Sequence, residues 1–185
     1  MSATIDTQAQ RSMSVLRRVA HFDWGAGRFT VDTTASLAAT LAPLFERTRT
    51  PARIVSYDFD HLRSTGRIGP DTALKAIDDH LPKPSFNSTD LDMLVTALRL
   101  DEDFHAAIPL YDPEFPGFRM AELRVTGTEQ VASGSRSRRV WVLAVAVVSK
   151  PTMFYRVDTT THRMLQKDFG DPAATSFRLQ ATDGP

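Results

Sequence analysis

The sequence predicts an α+β fold in which N-terminal helices pack on a curved antiparallel sheet built mainly from a C-terminal three-strand meander. Residues 118–131, 138–149 and 153–167 are typical of three successive strands joined by short turns, and the middle one is apolar throughout 140–148. A strand with water on one face alternates polar and apolar residues, so this unbroken run indicates a central strand covered on both faces. Earlier in the chain, apolar residues recur mainly at helical spacing, and helices segregated from strands indicate an α+β fold.

The first elements are predicted from spacing and from helix-breaking residues. Apolar positions at helical spacing predict a helix over residues 9–21, and residues 28–31 are expected to form a short strand. A second helix is expected over residues 32–48. Pro43 should kink or break it, because proline removes a backbone donor and clashes with the preceding turn.

The middle of the chain predicts a strand and two more helices. The β-branched and aromatic residues of 52–59 are typical of a strand, and the glycines and proline of 66–70 indicate a loop. Helices are expected over residues 70–81 and 88–98, with one further helical turn over 104–110.

The segment 111–117 marks the clearest boundary in the chain, where the pattern changes from helical to alternating. The resulting element order resembles that of the cone-shaped, nuclear-transport-factor-like folds. The resemblance concerns element order only, so it implies a curved sheet covered by helices and transfers no functional residue. We expect a single domain over residues 1–185, with flexible ends at 1–8 and 170–185.

Composition and charge narrow the range of partners and locations. The 22 basic and 22 acidic residues leave no net charge, which argues against nucleic-acid partners and mildly favours a homo-oligomer. The absence of cysteine excludes disulfides, thiolate nucleophiles and cysteine-ligated metals. Neither a secretory signal nor an apolar run long enough to cross a membrane is recognisable, so we expect a cytoplasmic protein with no membrane contact.

One polar cluster suggests a small-molecule site. Asp58 and Asp60 lie on the same face of the predicted strand, beside His61, and two carboxylates there can share acid–base work. Together with Tyr155, they are the candidate catalytic residues. The simpler interpretation, favoured here, is a polar strand end. No zinc-hydrolase, serine-hydrolase or phosphate-loop spacing occurs, so we expect no metal and no cofactor.

Two further sets of residues suggest partner binding. Arg136, Arg138 and Arg139 lie near one predicted hairpin tip and could contact phosphates or an acidic partner. Tyr111 and Phe115 could line a pocket mouth or dock on another subunit. The simpler interpretations, a charged turn that protects strand edges and a loop fixed to the core by its aromatic rings, are favoured.

Three functions therefore remain open at this stage. The leading expectation is a non-enzymatic assembly, adaptor or structural subunit that self-associates and binds a protein partner through its sheet. The first alternative is a small-molecule-binding protein or acid–base enzyme with a pocket between the sheet and the helices. The second alternative is nucleic-acid binding through the hairpin tip at 136–139.

Overall fold

A computed structural model of the chain describes residues 2–10, 13–23, 25–113, 117–133, 136–170 and 179–180. Strands dominate these residues, and no helix occurs among them before Ser88. The predicted α+β fold is therefore wrong, and so is the implied nuclear-transport-factor-like arrangement, because there are no N-terminal helices to cover a sheet. The prediction of antiparallel sheet structure is confirmed.

Chain contacts divide the protein into two units. Unit 1 contains residues 1–90 and 110–118, and unit 2 contains residues 91–109 and 119–185. The expectation of a single domain stays a prediction. Of the predicted flexible ends, residues 2–8 lie in a paired strand, and nearly all of 170–185 lies outside the described residues.

Unit 1 contains a seven-stranded sheet in which every strand pairs antiparallel with the next one in the chain. Its strands are β1 Ser2–Gln10, β2 Met13–Asp23, β3 Phe29–Leu37, β4 Pro43–Thr50, β5 Arg53–Asp60, β6 Arg63–Gly69 and β7 Lys75–His80. Two short elements follow in the same unit, β8 Phe86–Asn87 and a 3-10 helix, Ser88–Asp90.

Unit 2 begins with the single α-helix of the described residues and continues as an antiparallel meander. Its elements are α1 Leu91–Ala97, β10 Phe118–Ser133, β11 Arg136–Val147, β12 Met153–Asp158, β13 Met164–Phe169 and β14 Leu179–Gln180, of which the first residue of β10, Phe118, is counted with unit 1. A further strand, β9 His105–Tyr111, begins in unit 2. Its last two residues belong to unit 1, where they pair in parallel with β8.

The predicted first helix is wrong because residues 9–10 belong to β1 and residues 13–21 belong to β2. In β2, Arg18 and Ala20 are buried on one face, whereas Met13 is 46% exposed. The backbone N–H and C=O groups of β2 form hydrogen bonds with a neighbouring strand on each side. Long-range pairing of this kind overrides a helical spacing that involves only a few apolar residues.

The predicted second helix is replaced by a hairpin of β3 and β4. The turn between them is closed by hydrogen bonds from Leu37 N to Ala42 O and from Leu41 N to Leu37 O, both 2.8 Å long. Pro43 is the first residue of β4, a position at which a strand tolerates proline because one ladder hydrogen bond is dispensable. The proline therefore begins a strand, and the expected helix kink does not occur.

The remaining corrections also replace helices or loops by strands. Residues 70–81 contain β7 in place of a helix, 66–69 lie in β6 in place of a loop, and 104–110 lie largely in β9. The strand predicted at 52–59 and the helix predicted at 88–98 are confirmed as β5 and α1.

The central position of β11 is confirmed. It pairs with β10 on one side and β12 on the other, and Val140, Leu143 and Val145 are fully buried. Within unit 2, α1 packs against β12 and β13. The third predicted strand, 153–167, is interrupted by a turn at Thr159–Thr161 and forms β12 and β13.

None of the helices in the described part of the chain has the length and apolar character needed to cross a membrane.

Candidate functional site

One face of the unit 1 sheet is buried and unusually polar. The pairing register places Thr34 beside Glu46 and Glu46 beside Tyr57, and all three side chains are buried. Because side chains alternate along a strand, Asp32 and Ser36 project from the same face as Thr34. We call this side of the sheet the buried face.

A hydrogen-bond network centres on Glu46. The Tyr57 hydroxyl donates to Glu46 Oε2 over 2.6 Å and lies 3.2 Å from Asn87 Oδ1. Thr48 and Thr89 donate to the same carboxylate, each over 2.8 Å. Burial, followed by the charge of Glu46, raises the pKa of Tyr57 well above its ordinary value, so the phenol stays protonated and donates.

A second network centres on Asp90, which accepts hydrogen bonds from Thr34 over 2.5 Å and from Ser36 over 2.9 Å. Burial raises the pKa of Asp90, and the two hydroxyl donors oppose this rise. Burial also raises the pKa of Asp32, and the nearby Thr48 hydroxyl opposes this rise. Attraction to Arg18, itself buried, lowers the pKa of both carboxyls without cancelling the cost of burial.

These raised pKa values predict that the folded protein loses stability as pH rises, and Asp32→Asn should remove part of that loss. The folded protein holds the Asp32 proton more tightly than the unfolded chain does, so this carboxyl lowers stability as pH rises above its unfolded pKa of about 3.9. The melting temperature of Asp32→Asn should therefore rise relative to that of the wild type between about pH 4 and pH 7.

Circular dichroism melts across this range would measure the difference. Asp71→Asn serves as the control, because Asp71 is exposed. A difference that stays constant, or that shrinks as pH rises, would contradict the assignment.

A pocket of about 450 Å³ lies where the β3–β4 and β5–β6 turns meet the end of the unit 1 sheet. We call it the end pocket. Its lining is mainly apolar and includes Leu37, Pro43, Leu44, Phe59 and Phe86. These five side chains are half-buried, as expected for apolar groups whose free side faces a cavity.

The end pocket adjoins the buried face. Leu44 and Phe59 lie two residues along their strands from Glu46 and Tyr57, on the same side of the sheet. The Phe59 ring packs edge-on against Tyr57, with centroids 5.3 Å apart, and against Tyr111, at 5.6 Å. Packed aromatic rings therefore fix one wall of the pocket.

The structure brings together two of the four candidate catalytic residues. Asp60 and His61 both line the end pocket, and His61 has a positive φ of 49° in the two-residue turn between β5 and β6. Asp58 forms an exposed ion pair with Arg47, 2.6 Å long, and does not line the pocket. Tyr155 belongs to unit 2, where it is fully buried. A catalytic role for the four residues stays a prediction.

The candidate partner-binding residues occupy different surroundings. Arg138 forms an ion pair with Asp158 at 3.3 Å, Arg139 donates to Thr128 at 3.4 Å, and Arg136 is exposed.

Tyr111 is fully buried in unit 1, and its hydroxyl donates to Asp79 over 2.7 Å. Phe115 lies outside the described residues. The partner-binding roles proposed for both sets also remain predictions.

Sequence reasoning missed the apolar lining and the buried polar face. One signal was available, because Thr30, Asp32, Thr34 and Ser36 place a polar residue at every second position of β3. The pocket itself left no local signal, since its walls come from three separate segments of unit 1. Within the described ranges, no group of three or more histidine, aspartate or glutamate side chains is placed to hold a metal ion.

Comparison with known proteins identifies a family. The model of the family described as "Protein of unknown function (DUF3108)" matches residues 2–181, which is nearly the whole chain. No curated protein and no solved structure matches the chain.

Proposed function

The chain belongs to the DUF3108 family, and we propose that it binds a small, mainly apolar molecule in the end pocket of unit 1. The observation that carries this proposal is the pocket of about 450 Å³ with its largely apolar lining. Binding sites for small molecules are concave, mostly apolar and typically about 300–1,000 Å³ in volume. The end pocket fits this description in size and in chemistry.

The surroundings of the pocket also support a binding role. Its apolar lining residues lie on paired strands or close to short turns, and the Phe59 ring is held by two neighbouring aromatic rings. Such a wall needs little rearrangement when a ligand enters, so less of the binding free energy is lost to ordering.

The polar residues of the pocket would orient the ligand. Asp60 and His61 lie together on the β5–β6 side, and Thr40 lies on the β3–β4 side. Apolar contacts supply most of the affinity in such sites, and a few polar groups at defined positions set the orientation.

We expect the protein to bind N-phenyl-1-naphthylamine, a neutral apolar dye that becomes fluorescent in apolar surroundings. Thr40→Trp should abolish the fluorescence increase, because the added indole would fill the pocket from an exposed turn position. Ala39→Trp is the matched control, since Ala39 is exposed in the same turn and does not line the pocket.

Titration of each variant with the dye gives a dissociation constant, and comparison of the two constants tests the proposal. Binding retained by Ala39→Trp and lost in Thr40→Trp supports the end pocket as the site. No dye binding by the wild type, or equal binding by both variants, would overturn the proposal.

Self-association remains a second candidate function, favoured by one specific observation. Strand β1 is an edge of the unit 1 sheet, and its Ile5 side chain is 57% exposed. Exposed edge strands with apolar side chains tend to pair with other chains. Light scattering at increasing concentration would test this role, and a mass that stays at that of one chain would rule it out. Nucleic-acid binding stays a prediction from sequence.

A further inference from the structure

The charge of the end pocket suggests a narrower class of ligand. We propose that the pocket prefers a molecule with an apolar tail and a cationic amine or quaternary ammonium group, with Asp60 and the nearby phenyl rings receiving the cation. This inference rests on the proposed function, because it specifies the ligand of the same pocket.

The Asp60 carboxylate is the anionic group of the pocket. Asp60 lines the pocket and is exposed, and its carboxylate forms no ion pair or hydrogen bond with any residue that the structure describes. The neighbouring arginines have other partners, since Arg47 pairs with Asp58, and Arg63 donates to both oxygens of Asp78 over 2.7 and 2.8 Å. Asp60 contributes only a weaker, longer-range attraction to Arg63. Its negative charge is therefore available to a ligand.

The lining of the pocket also contains aromatic rings. Phe59 and Phe86 both line the pocket that includes Asp60. Aromatic rings attract cations through their quadrupole, and quaternary ammonium groups are commonly recognised in this way. A carboxylate together with phenyl rings favours a cation over an anion in electrostatic terms.

The charged groups among the lining residues also favour a cationic ligand. Asp60 is the only acidic residue that lines the pocket, and neither lysine nor arginine lines it. An anionic amphiphile such as a fatty acid would place its carboxylate near that charge, and like charges repel. A neutral molecule would gain only the apolar contacts.

Three probes with the same eight-carbon chain would test the inference by displacing the bound dye: octyltrimethylammonium, octan-1-ol and octanoate. We expect the ammonium compound to displace the dye at the lowest concentration and octanoate at the highest. Asp60→Asn should weaken binding of the ammonium compound by roughly threefold to tenfold and leave octan-1-ol unchanged. Asp58→Asn is the matched control, because it removes an equal charge two residues away, from a side chain that does not line the pocket.

The outcomes separate this inference from the function on which it rests. If the wild type does not bind the dye, the proposed function fails. If the dye binds but octan-1-ol or octanoate displaces it as readily as the ammonium compound, the pocket stands and the preference for a cation is wrong. An equal loss in Asp58→Asn and Asp60→Asn would reduce the effect to general surface charge and would also overturn the inference.

Discussion

Replacing Arg156 by methionine is expected to lower the free energy of unfolding by about 3–5 kcal/mol, the usual cost of removing one partner from a buried ion pair. The guanidinium group of Arg156 donates to Asp168 and, over 2.8 Å, to Glu129. The Asp168 side chain is only 2% exposed, and Gln166 also donates to it. Methionine keeps much of the length of the side chain but leaves the buried carboxylate without its guanidinium.

Urea unfolding at neutral pH would measure this loss, with Arg136→Met as a control for removing an exposed arginine. The double variant Arg156→Met with Asp168→Leu should regain much of the stability, because apolar pairs often replace buried ion pairs at little cost. A loss below about 1 kcal/mol, typical of an exposed pair, would show that the network is not buried in solution.

The same network shows why part of the fold could be predicted from sequence and part could not. The apolar run at 140–148 predicted a central strand correctly, because a strand covered on both faces leaves a local signature in the sequence. The cover on both faces extends over residues 140–145, whereas Ala146 is exposed and Val148, just past the end of the strand, is 76% exposed. Arg156 and Asp168 leave no such signature, since a charged residue in a strand is normally interpreted as exposed. Their burial depends on the pairing of β12 with β13 and on Glu129 of β10.

Unit 1 was mispredicted for a related reason. Its buried face carries Asp32, Thr34, Ser36 and Glu46, so the strands lack the apolar alternation by which strands are usually recognised. In the absence of that signal, a few apolar residues at helical spacing indicated helices. β5, with Ile54, Val55 and Tyr57, has the β-branched and aromatic composition typical of a strand, and it was predicted correctly. The short strand expected at residues 28–31 coincides with the start of β3, but the rest of β3 was assigned to a helix.

Sequence reasoning predicted only the part of the candidate site whose residues are adjacent in the chain. Asp60 and His61 are adjacent in sequence at the end of a recognisable strand, so their proximity could be read directly. Leu37, Pro43 and Phe86 reach the same pocket from other segments, and their convergence follows from strand pairing that sequence spacing does not encode.

Replacing Gly66 by alanine is expected to cost about 3 kcal/mol, the upper end of the usual range for overpacking a well-packed site. A Cβ atom at this position would lie 2.1 Å from Ser56 O and 2.5 Å from Tyr57 Cα, both backbone atoms of the neighbouring strand. A flexible side chain could rotate away from such a contact, whereas backbone atoms can move only if β5 and β6 separate. The cost therefore arises because the backbone of Ser56 and Tyr57 already occupies the space that a Cβ atom at position 66 would need.

The consequences of Gly66→Ala should extend from the fold to the pocket. Tyr57 lies opposite Gly66 in the pairing register, and it donates to Glu46 while packing against Phe59. Displacing β5 would strain that hydrogen bond and shift the aromatic wall of the end pocket, so dye affinity should fall together with the urea midpoint. Thr65→Ala is the control, because it places alanine in the same strand at an exposed position. Equal stability of the two variants would mean that β5 and β6 are not in the register that brings Tyr57 across Gly66, and the arrangement of the buried face would have to be revised with it.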